Sequence, residues 1–460
     1  MQQEALKQDM IFGLEDKPNI PTAIFAALQH LLAIFIGIVT PPIIICGALG
    51  FDLATKAFII NMALFASGIS TLIQARRIGP IGSGLLSIQG TSFTFLGTVL
   101  AIGFAVKNDG GSTNDILATI FGTCFVCASV EIVFSRFIKF LRTFITPLVS
   151  GIVVTLIGLS LIRVGITDMG GGQWLMDNKP EFYATGANLA MAFSVLAIII
   201  IFNRSKKPMV RLSSVFIGLA VGYIIAIAMG KVNTGSLKDL SIVSAPIPFK
   251  FGFFKIHWGY VIPMALLYLI TTVESIGDLT ATSMISGEPI EGDVYMKRIS
   301  GGVLGDGVNS ALAAVFNSFP NTTFSQNNGV IQLTGVASRY VAYFIAGLLM
   351  LFGLFPIVGG IFSIIPLPVL GGATIIMFAT VAASGIRIIA TSGVNGINRR
   401  GIMIMAISFG LGLGVVVNPM ILQNLPPFVK QVFSSGITTG GLTAIILNIV
   451  LPKAAPLKTA

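Results

Sequence analysis

Apolar runs of about twenty residues recur along most of this chain, and each is long enough to cross the hydrocarbon core of a bilayer as one helix. Of the 460 residues, 54% are hydrophobic and 10% are charged, whereas about 25% are charged in a typical soluble domain. Backbone groups inside lipid must be bonded within the protein, which favours helices for these runs. The sequence therefore predicts an all-α polytopic membrane protein.

Fourteen apolar segments can be marked, of which the third and the tenth are the weakest as helices. They span about 22–48, 52–75, 85–106, 115–136, 143–165, 186–203, 212–230, 257–285, 297–316, 323–337, 338–356, 366–391, 401–418 and 434–451. With both termini in the cytoplasm, about two thirds of the 28 lysine and arginine residues fall on the cytoplasmic side, as the positive-inside rule requires. The net charge of +10 is thus explained by membrane orientation, and we expect no nucleic acid partner.

Residues 317–339 interrupt this pattern, because they lie between two apolar runs and yet have the composition of a loop. The stretch contains four asparagines, two glutamines and two glycines. Backbone that cannot form a plain helix survives at membrane depth only where it is packed in protein or lines a cavity. There it presents free N–H groups and amide side chains to a ligand, so this stretch is predicted to form the binding site.

The two halves of the chain resemble each other. Residues 145–151 (ITPLVSG) are similar to residues 365–372 (IPLPVLGG), and interrupted segments recur at 87–93 and 325–329. Paired broken segments in inverted repeats mark the midplane site of many transporters. We therefore predict two inverted repeats of seven spans each; chance similarity between apolar segments punctuated by glycine and proline is the alternative.

Four acidic residues lie within the predicted spans, where each costs about 2.5–3.5 kcal/mol to insert. Glu274 and Asp278 are four residues apart and share one helical face, and Asp306 lies among glycines. All three are candidate functional groups, with a buried carboxylate bonded to hydroxyl or backbone donors as the alternative. Glu131, close to Arg136, is predicted to be structural or to reach toward the membrane surface, and it is left outside the site.

His30 is the only histidine inside an apolar span. It either relays protons or holds its helix by hydrogen bonds. The sequence contains no nucleophile–base triad, phosphate-binding loop or metal constellation. We therefore expect neither an enzyme nor a bound metal or cofactor.

The run 326–335 (QNNGVIQLTG) resembles the signature of the nucleobase–ascorbate transporters (nucleobase:cation symporter family 2). In that signature Gln, Glu or Pro is followed by Asn, any residue, Gly, four further residues, Thr, and then Arg, Lys or Gly. Five constrained positions at fixed spacing make the signal specific, and Gly329 and Thr334 are two of them. The resemblance covers nearly the whole chain and is greatest to the bacterial xanthine permeases.

The resemblance implies an architecture. It comprises fourteen spans with short strands in spans 3 and 10, a homodimer in the bacterial inner membrane, and elevator-like alternating access. A core domain is formed by residues 1–140 (spans 1–4) and 255–358 (spans 8–11), and a gate domain by residues 141–235 (spans 5–7) and 359–452 (spans 12–14). The implied substrate-binding residues are Glu274, Gln326, Ser92, Phe93, Ser325 and Asn327, and the implied proton-coupling residues are Asp306, Asp278 and His30.

The residue chemistry favours a particular substrate. A carboxylate only accepts hydrogen bonds, so Glu274 suits adjacent N–H donors, and the Gln326 amide matches an N–H beside a C=O. Xanthine, uric acid and uracil present such an edge, whereas adenine does not. Ser92 stands where some xanthine permeases carry Asn, which leaves room for uric acid. We expect a proton-coupled purine importer with xanthine as the first substrate and uric acid as the second.

Two alternatives remain open. One is a symporter of uracil or of another nucleobase. The other is an anion transporter of the sulfate-permease type, which has the same architecture. Such a transporter would place a positive charge or helix N-termini at the broken segments, and in the second of these no Lys or Arg precedes Arg339.

Overall fold

The structure is a computed structural model that describes residues 10–140, 146–207, 210–211, 213–391 and 398–452. Both chain ends, which are predicted to be cytoplasmic, lie outside the described residues. The same holds for residues 141–145, where the predicted gate domain begins.

The described chain is mostly helical. Its helices are α1 (Ile20–Leu49), α2 (Leu53–Arg76), α3 (Leu96–Asn108), α4 (Thr113–Phe134), α5 (Pro147–Gly170), α6 (Gln173–Asn178), α7 (Gly186–Asn203), α8 (Ser214–Ala228), α9 (Trp258–Ile285), α10 (Gly292–Val315), α11 (Gln326–Thr334), α12 (Arg339–Gly353), α13 (Pro356–Ser363), α14 (Leu367–Thr391), α15 (Arg399–Val417), α16 (Pro427–Phe433) and α17 (Gly436–Val450). Two strands, β1 (Gln89–Thr91) and β2 (Asn321–Thr323), interrupt the helical order.

Local sequence sets several helix ends. Asn19 caps α1 by accepting a hydrogen bond of 3.0 Å from the Thr22 N–H, and Ser112 and Asp115 form a capping box at the start of α4. Such caps satisfy N–H groups that have no partner inside the helix. Gly50 adopts a left-handed conformation, φ 77°, at the end of α1, where a side chain would be strained.

Eight helices of the described chain are long and apolar enough to cross a membrane. They are α1, α2, α4 with the turn that follows it, α5, α7, α9, α14 and α15. Helices α12 and α13 are bent by 78° relative to each other and would make a ninth span together. The prediction of a polytopic, mainly helical membrane protein is therefore confirmed, whereas the full set of fourteen spans stays a prediction.

The two strands bring distant parts of the chain together. They pair in antiparallel fashion, with Gln89 opposite Thr323 and Thr91 opposite Asn321. All six strand residues are buried, so their backbone groups need partners in protein, and the pairing supplies them. A 3₁₀ turn and α3 follow β1, and α11 follows β2, so two helix starts lie beside the same small sheet.

Helices α5 and α14 pack closely because glycines line their contact. A Cβ atom at Gly158 would lie 2.3 Å from the Ala382 nitrogen, and one at Gly385 would lie 2.3 Å from the Thr155 nitrogen. A Cβ at Gly371 would lie 2.3 Å from the Met169 nitrogen. The contacts thus run in opposite directions along the two helices, which are antiparallel.

Candidate functional site

A cavity of about 40 Å³ lies beside the two strands. Its lining comes from the segments after β1 and around β2, from α9, and from α5 and α14. The residues are Ser92, Phe93, Thr94, Val154, Ile157, Leu161, Glu274, Asp278, Thr322, Thr323, Phe324, Ser325, Gln326 and Val381. Six of the predicted site residues are therefore brought together here, namely Glu274, Gln326, Ser92, Phe93, Ser325 and Asp278.

The ends of both strands shape this cavity. After β1, the Ser92 N–H donates to the Pro320 carbonyl at 2.9 Å, and the Ser92 Oγ accepts from the Thr94 N–H at 3.3 Å. After β2, Ser325 precedes α11, whose first residue is Gln326. The first N–H groups of a helix have no partner within it. The segment 325–326 thus offers backbone donors and an amide side chain to the cavity.

Two carboxylates enter the cavity from one face of α9, Glu274 and Asp278. Threonines next to or in the strands donate to them: Thr94 Oγ1 to Glu274 Oε2 at 3.3 Å, and Thr323 Oγ1 to Asp278 Oδ2 at 3.4 Å. Each bond is long and engages one oxygen of its carboxylate. The second oxygen of each carboxylate is thus left available to a ligand's N–H groups.

The opposite wall of the cavity is apolar. It is formed by Val154, Ile157 and Leu161 on α5 and Val381 on α14. The Phe93 ring packs edge-on against Phe378 of α14, with ring centroids 5.1 Å apart. All hydrogen-bonding side chains in the lining therefore belong to segments 92–94, 274–278 and 322–326.

The volume of the cavity limits what it can hold. Its volume of about 40 Å³ is near the ~30 Å³ that one water molecule occupies in the liquid. Pockets for small ligands usually measure about 300–1,000 Å³. The cavity in this conformation is thus smaller than such a pocket, and it would have to widen to hold a bicyclic base.

Asp306 lies behind the cavity and does not line it. The side chain is fully buried in α10. Its Oδ1 accepts from Gln74 Nε2 of α2 at 2.6 Å, and its Oδ2 accepts from the Ser275 hydroxyl of α9. Since Ser275 follows Glu274 directly, Asp306 is connected to the helix that carries the cavity carboxylates.

His30 and Asn327 also lie outside the cavity lining, although Asn327 was predicted to bind substrate. The His30 Nδ1 donates to Asn327 Oδ1 at 2.6 Å, and Asn327 Nδ2 donates to the Leu86 carbonyl at 2.5 Å. Both ends of the Asn327 amide are thus engaged within the protein. The arrangement connects α1, the loop before β1 and α11 directly behind the cavity.

The two motif residues have different surroundings. At Gly329 a Cβ atom would have no other atom within 4 Å, so packing does not demand glycine there. Thr334 closes α11: its hydroxyl donates to the Val330 carbonyl at 2.8 Å and accepts from the Val336 N–H at 3.3 Å. Gly335 then ends the helix in a left-handed conformation, φ 66°.

Sequence reasoning missed the residues that hold the carboxylates, namely Thr94, Thr323, Gln74 and Ser275. Hydroxyl and amide side chains such as those of Thr94 and Gln74 do not stand out by residue type, and Thr323 lies in the polar stretch 317–339 without a feature that marks it among its neighbours. Glu131 was predicted to be structural or to reach toward the membrane surface, and the second of these is wrong. Its side chain is 1% exposed, because α9 and α10 cover it on α4.

Known proteins resemble this chain over most of its length. A family profile described as "Permease family" matches residues 21–421. The chain belongs to the nucleobase–ascorbate transporter family. This transporter is 48% identical to the xanthine permease XanP of Escherichia coli (strain K12) over 447 residues, which cover 96% of this chain and 95% of the relative. Such relatives are permeases, and the transporter is not an enzyme.

Further relatives of the transporter span the same length. The xanthine permease XanQ of Escherichia coli (strain K12) is 46% identical, and the match covers 96% of this chain and 94% of that protein. The nucleobase transporter PlUacP of Paenibacillus larvae is 36% identical, with 92% of this chain and 93% of that protein covered.

Solved structures with the same fold are more distant in sequence. The transmembrane domain of the cyanobacterial bicarbonate transporter BicA superposes with a TM-score of 0.57 at 16% identity, covering 92% of this transporter and 100% of that chain. The structure of SLC26A9 superposes with a TM-score of 0.60 at 13% identity, covering 94% and 66%. At such identities the likeness establishes the fold alone and does not identify the ligand.

Proposed function

We propose that this protein is a proton-coupled symporter that imports a purine nucleobase, with xanthine as the first substrate and uric acid as the second. The observation that carries the proposal is that Glu274 and Gln326 line one cavity. A carboxylate that accepts, beside an amide that both accepts and donates, is complementary to the N–H and C=O edge of an oxidised purine. The names of XanP, XanQ and PlUacP point to the same class of ligand.

The starts of α3 and α11 beside the strands would attract an anion, but the carboxyl groups of the cavity oppose it. Two carboxylates enter it, and no Lys or Arg is among the described residues that line it. A sulfate-like or bicarbonate-like ligand would be repelled by Glu274 and Asp278, whereas a neutral ligand rich in N–H groups would be held by them. The site therefore favours the nucleobase over the anion, even though anion transporters share the fold.

The proposal includes fourteen spans arranged as two inverted repeats. In this assignment β1 with α3 forms the third span and β2 with α11 the tenth, and α5 and α14 are the fifth and the twelfth. Equivalent elements of inverted repeats run in opposite directions when they meet at the symmetry axis. The antiparallel pairing of β1 with β2 and the antiparallel packing of α5 on α14 support this arrangement.

The same assignment divides the chain into a core domain (1–140 and 255–358) and a gate domain (141–235 and 359–452). The polar wall of the cavity then belongs to the core and the apolar wall to the gate. An elevator-like movement would slide the core, with its bound base, along a gate surface that forms no hydrogen bond to the ligand. The small volume of the cavity supports a movement that separates the two domains.

Proton coupling, a homodimer and cytoplasmic termini complete the proposal, as the family resemblance implies. An inward proton gains about 2.3 kcal/mol per 100 mV of membrane potential, which is enough to drive accumulation of a neutral base. Asp306, buried and held by Gln74 and Ser275, is the proposed coupling residue. Asp278 and His30 are proposed to support it, His30 by holding Asn327 in place.

Uptake of radiolabelled xanthine by cells that lack their own xanthine permeases tests the proposal. We expect accumulation above the outside concentration, collapse of that accumulation with a protonophore, competition by uric acid and no competition by sulfate. Sodium-dependent accumulation that resists the protonophore would contradict proton coupling. Stronger competition by uracil than by unlabelled xanthine would favour the uracil alternative, and competition by sulfate would favour the anion transporter.

A further inference from the structure

Glu131 is a buried carboxyl group that neither the cavity nor the proposed coupling residues account for. It lies on α4, and its side chain is 1% exposed. The Oε1 atom accepts a hydrogen bond of 2.6 Å from Thr271 Oγ1 on α9. The Oε2 atom is buried and has no hydrogen-bond partner among the described residues. A permanently ionised carboxylate would be costly at a buried position without a partner for this oxygen. A carboxyl group that gains and loses a proton would be charged during only part of the transport cycle.

The surroundings of Glu131 connect it to Asp306. Helix α10 touches α4 beside Asp306, since a Cβ atom at Gly307 would lie 3.0 Å from the Glu131 Cβ. On α9, Thr271 bonds Glu131 and Ser275, one turn later, bonds Asp306. One face of α9 thus supplies a hydroxyl to each of the two carboxyl groups.

The titratable groups that face Glu131 are Asp306 from α10 and Glu274 and Tyr268 from α9. No Lys or Arg forms an ion pair with any of these carboxyl groups in the part of the chain that the structure describes. Buried like charges without a counter-ion cannot all be ionised at once. Glu131 and Asp306 are therefore not both ionised, and one of them can hold a proton while the other is a carboxylate.

A second cavity lies beside the end of α4, on the side that the proposed topology makes cytoplasmic. Its volume is about 340 Å³. Its lining includes Ser135, which directly follows α4 and comes four residues after Glu131, and Leu304, two residues before Asp306 on α10. Ser300 ties these helices together there by donating to the Ser135 carbonyl at 2.6 Å.

We propose that Glu131 passes the coupling proton from Asp306 to this second cavity, so that the proton and the purine leave the protein by different routes. The proton leaves the Asp306 carboxyl group and protonates the Glu131 carboxylate, so the total charge of the pair does not change. Glu131 then gives the proton to a water molecule of the second cavity, which becomes hydronium. Glu131 is left as a carboxylate, ready for the next proton.

The relay rests on the proposed proton symport, and one pair of assays separates the two ideas. The first assay measures accumulation of radiolabelled xanthine in energised cells, with and without a protonophore. The second measures exchange of outside labelled xanthine for unlabelled xanthine inside proteoliposomes, which needs no net release of protons. The variants are Glu131→Gln, Asp306→Asn and the control Glu291→Gln, whose exposed side chain makes no cap hydrogen bond at the start of α10.

We expect Glu131→Gln to lose accumulation at least tenfold, to the level of the parent with protonophore, while keeping exchange within about twofold. Asp306→Asn should lose accumulation in the same way, and Glu291→Gln should behave as the parent. Pyranine trapped in proteoliposomes should report acidification upon xanthine entry for the parent and none for Glu131→Gln. Protonophore-resistant accumulation by the parent would reject the proton symport itself.

The relay is overturned if the parent is protonophore-sensitive and Glu131→Gln still accumulates xanthine as the parent does. Loss of exchange together with accumulation, in a variant that is present and monodisperse, would instead show a structural role and also overturn it. Should the glutamine variant not fold, Glu131→Met tests the same point, because an apolar side chain of similar length suits a buried position. Failure of both variants to fold would likewise assign Glu131 to structure alone.

Discussion

His30 on α1 donates a hydrogen bond of 2.6 Å from its Nδ1 to the Oδ1 of Asn327 on α11. The Asn327 Nδ2 donates to Leu86, so its oxygen faces the ring and the ring nitrogen must carry the hydrogen. The His30 Nε2 is buried without a partner among the described residues. The contact therefore needs one N–H group and no change of charge, which favours positioning over proton relay for His30.

A pair of variants separates these two roles. His30→Asn places an amide N–H near the position of Nδ1 and should keep xanthine uptake within about threefold of the parent. His30→Leu leaves the Asn327 oxygen unsatisfied, at about 1–3 kcal/mol, and should weaken xanthine binding. Saturation curves of uptake measure both. Loss of accumulation with intact exchange in His30→Asn would show that protonation of the ring matters.

Glu274→Gln replaces the acceptor that is proposed to face the ligand by an amide, which adds a donor. A mismatched buried pair costs about 1–3 kcal/mol, or roughly 5- to 150-fold in affinity, so uptake should fall to background while the protein still reaches the membrane. Binding of labelled xanthine to purified protein would measure the loss directly. Transport near the parent level would remove Glu274 from the site.

Ser92→Asn tests selectivity without disturbing the turn that carries the residue. Ser92 caps the 3₁₀ turn after β1, and Asn is an equally good cap. The larger side chain should fill space in the cavity, and a cavity that merely has room rejects an added polar group poorly. We expect uric acid to compete less well with xanthine in the variant than in the parent. An unchanged ratio of the two competition constants would place Ser92 away from that part of the purine.

Replacement by alanine should have different effects on stability at two of the glycines. At Gly158 the new Cβ would lie 2.3 Å from the Ala382 nitrogen, so Gly158→Ala should force α5 away from α14 and lower the melting temperature. At Gly329 the Cβ meets no other atom within 4 Å, and alanine is favoured over glycine in a helix by up to ~1 kcal/mol. Gly329→Ala should therefore fold at least as stably as the parent, although it alters the family signature. Melting curves of detergent-purified variants compare the two; a stable but inactive Gly329→Ala would point to a need for glycine in the bound or moving state.

The sequence revealed those site residues that violate the composition of a membrane segment. Glu274 and Asp278 were found because carboxylates are costly in lipid, and Gln326 because its stretch has the composition of a loop and resembles the family signature. Thr94 and Ser275 were not found, because a hydroxyl in an apolar helix can satisfy itself on the helix's own backbone, as Thr280 does on the Ile276 carbonyl at 2.6 Å. A hydroxyl in such a run thus carries no signal by itself.

Long-range contacts decide which of these hydroxyls enter the site. Thr94 and Glu274 are 180 residues apart, and pattern reading along the chain cannot pair them. The same limit applies to Glu131. The sequence shows that this residue is acidic, but its burial depends on how α9 and α10 pack against α4.

The one-sided distribution of polar groups around the substrate cavity separates recognition from sealing. Methyl groups such as those of Val154 and Val381 form no directional bond. In the proposed elevator-like movement, an apolar gate surface could therefore pack against the core domain in more than one position. The polar side chains proposed to recognise the substrate belong to the core domain, and they can be substituted without changing the apolar gate surface. This separation would allow one fold, shared here with a bicarbonate transporter at 16% identity, to carry different binding residues.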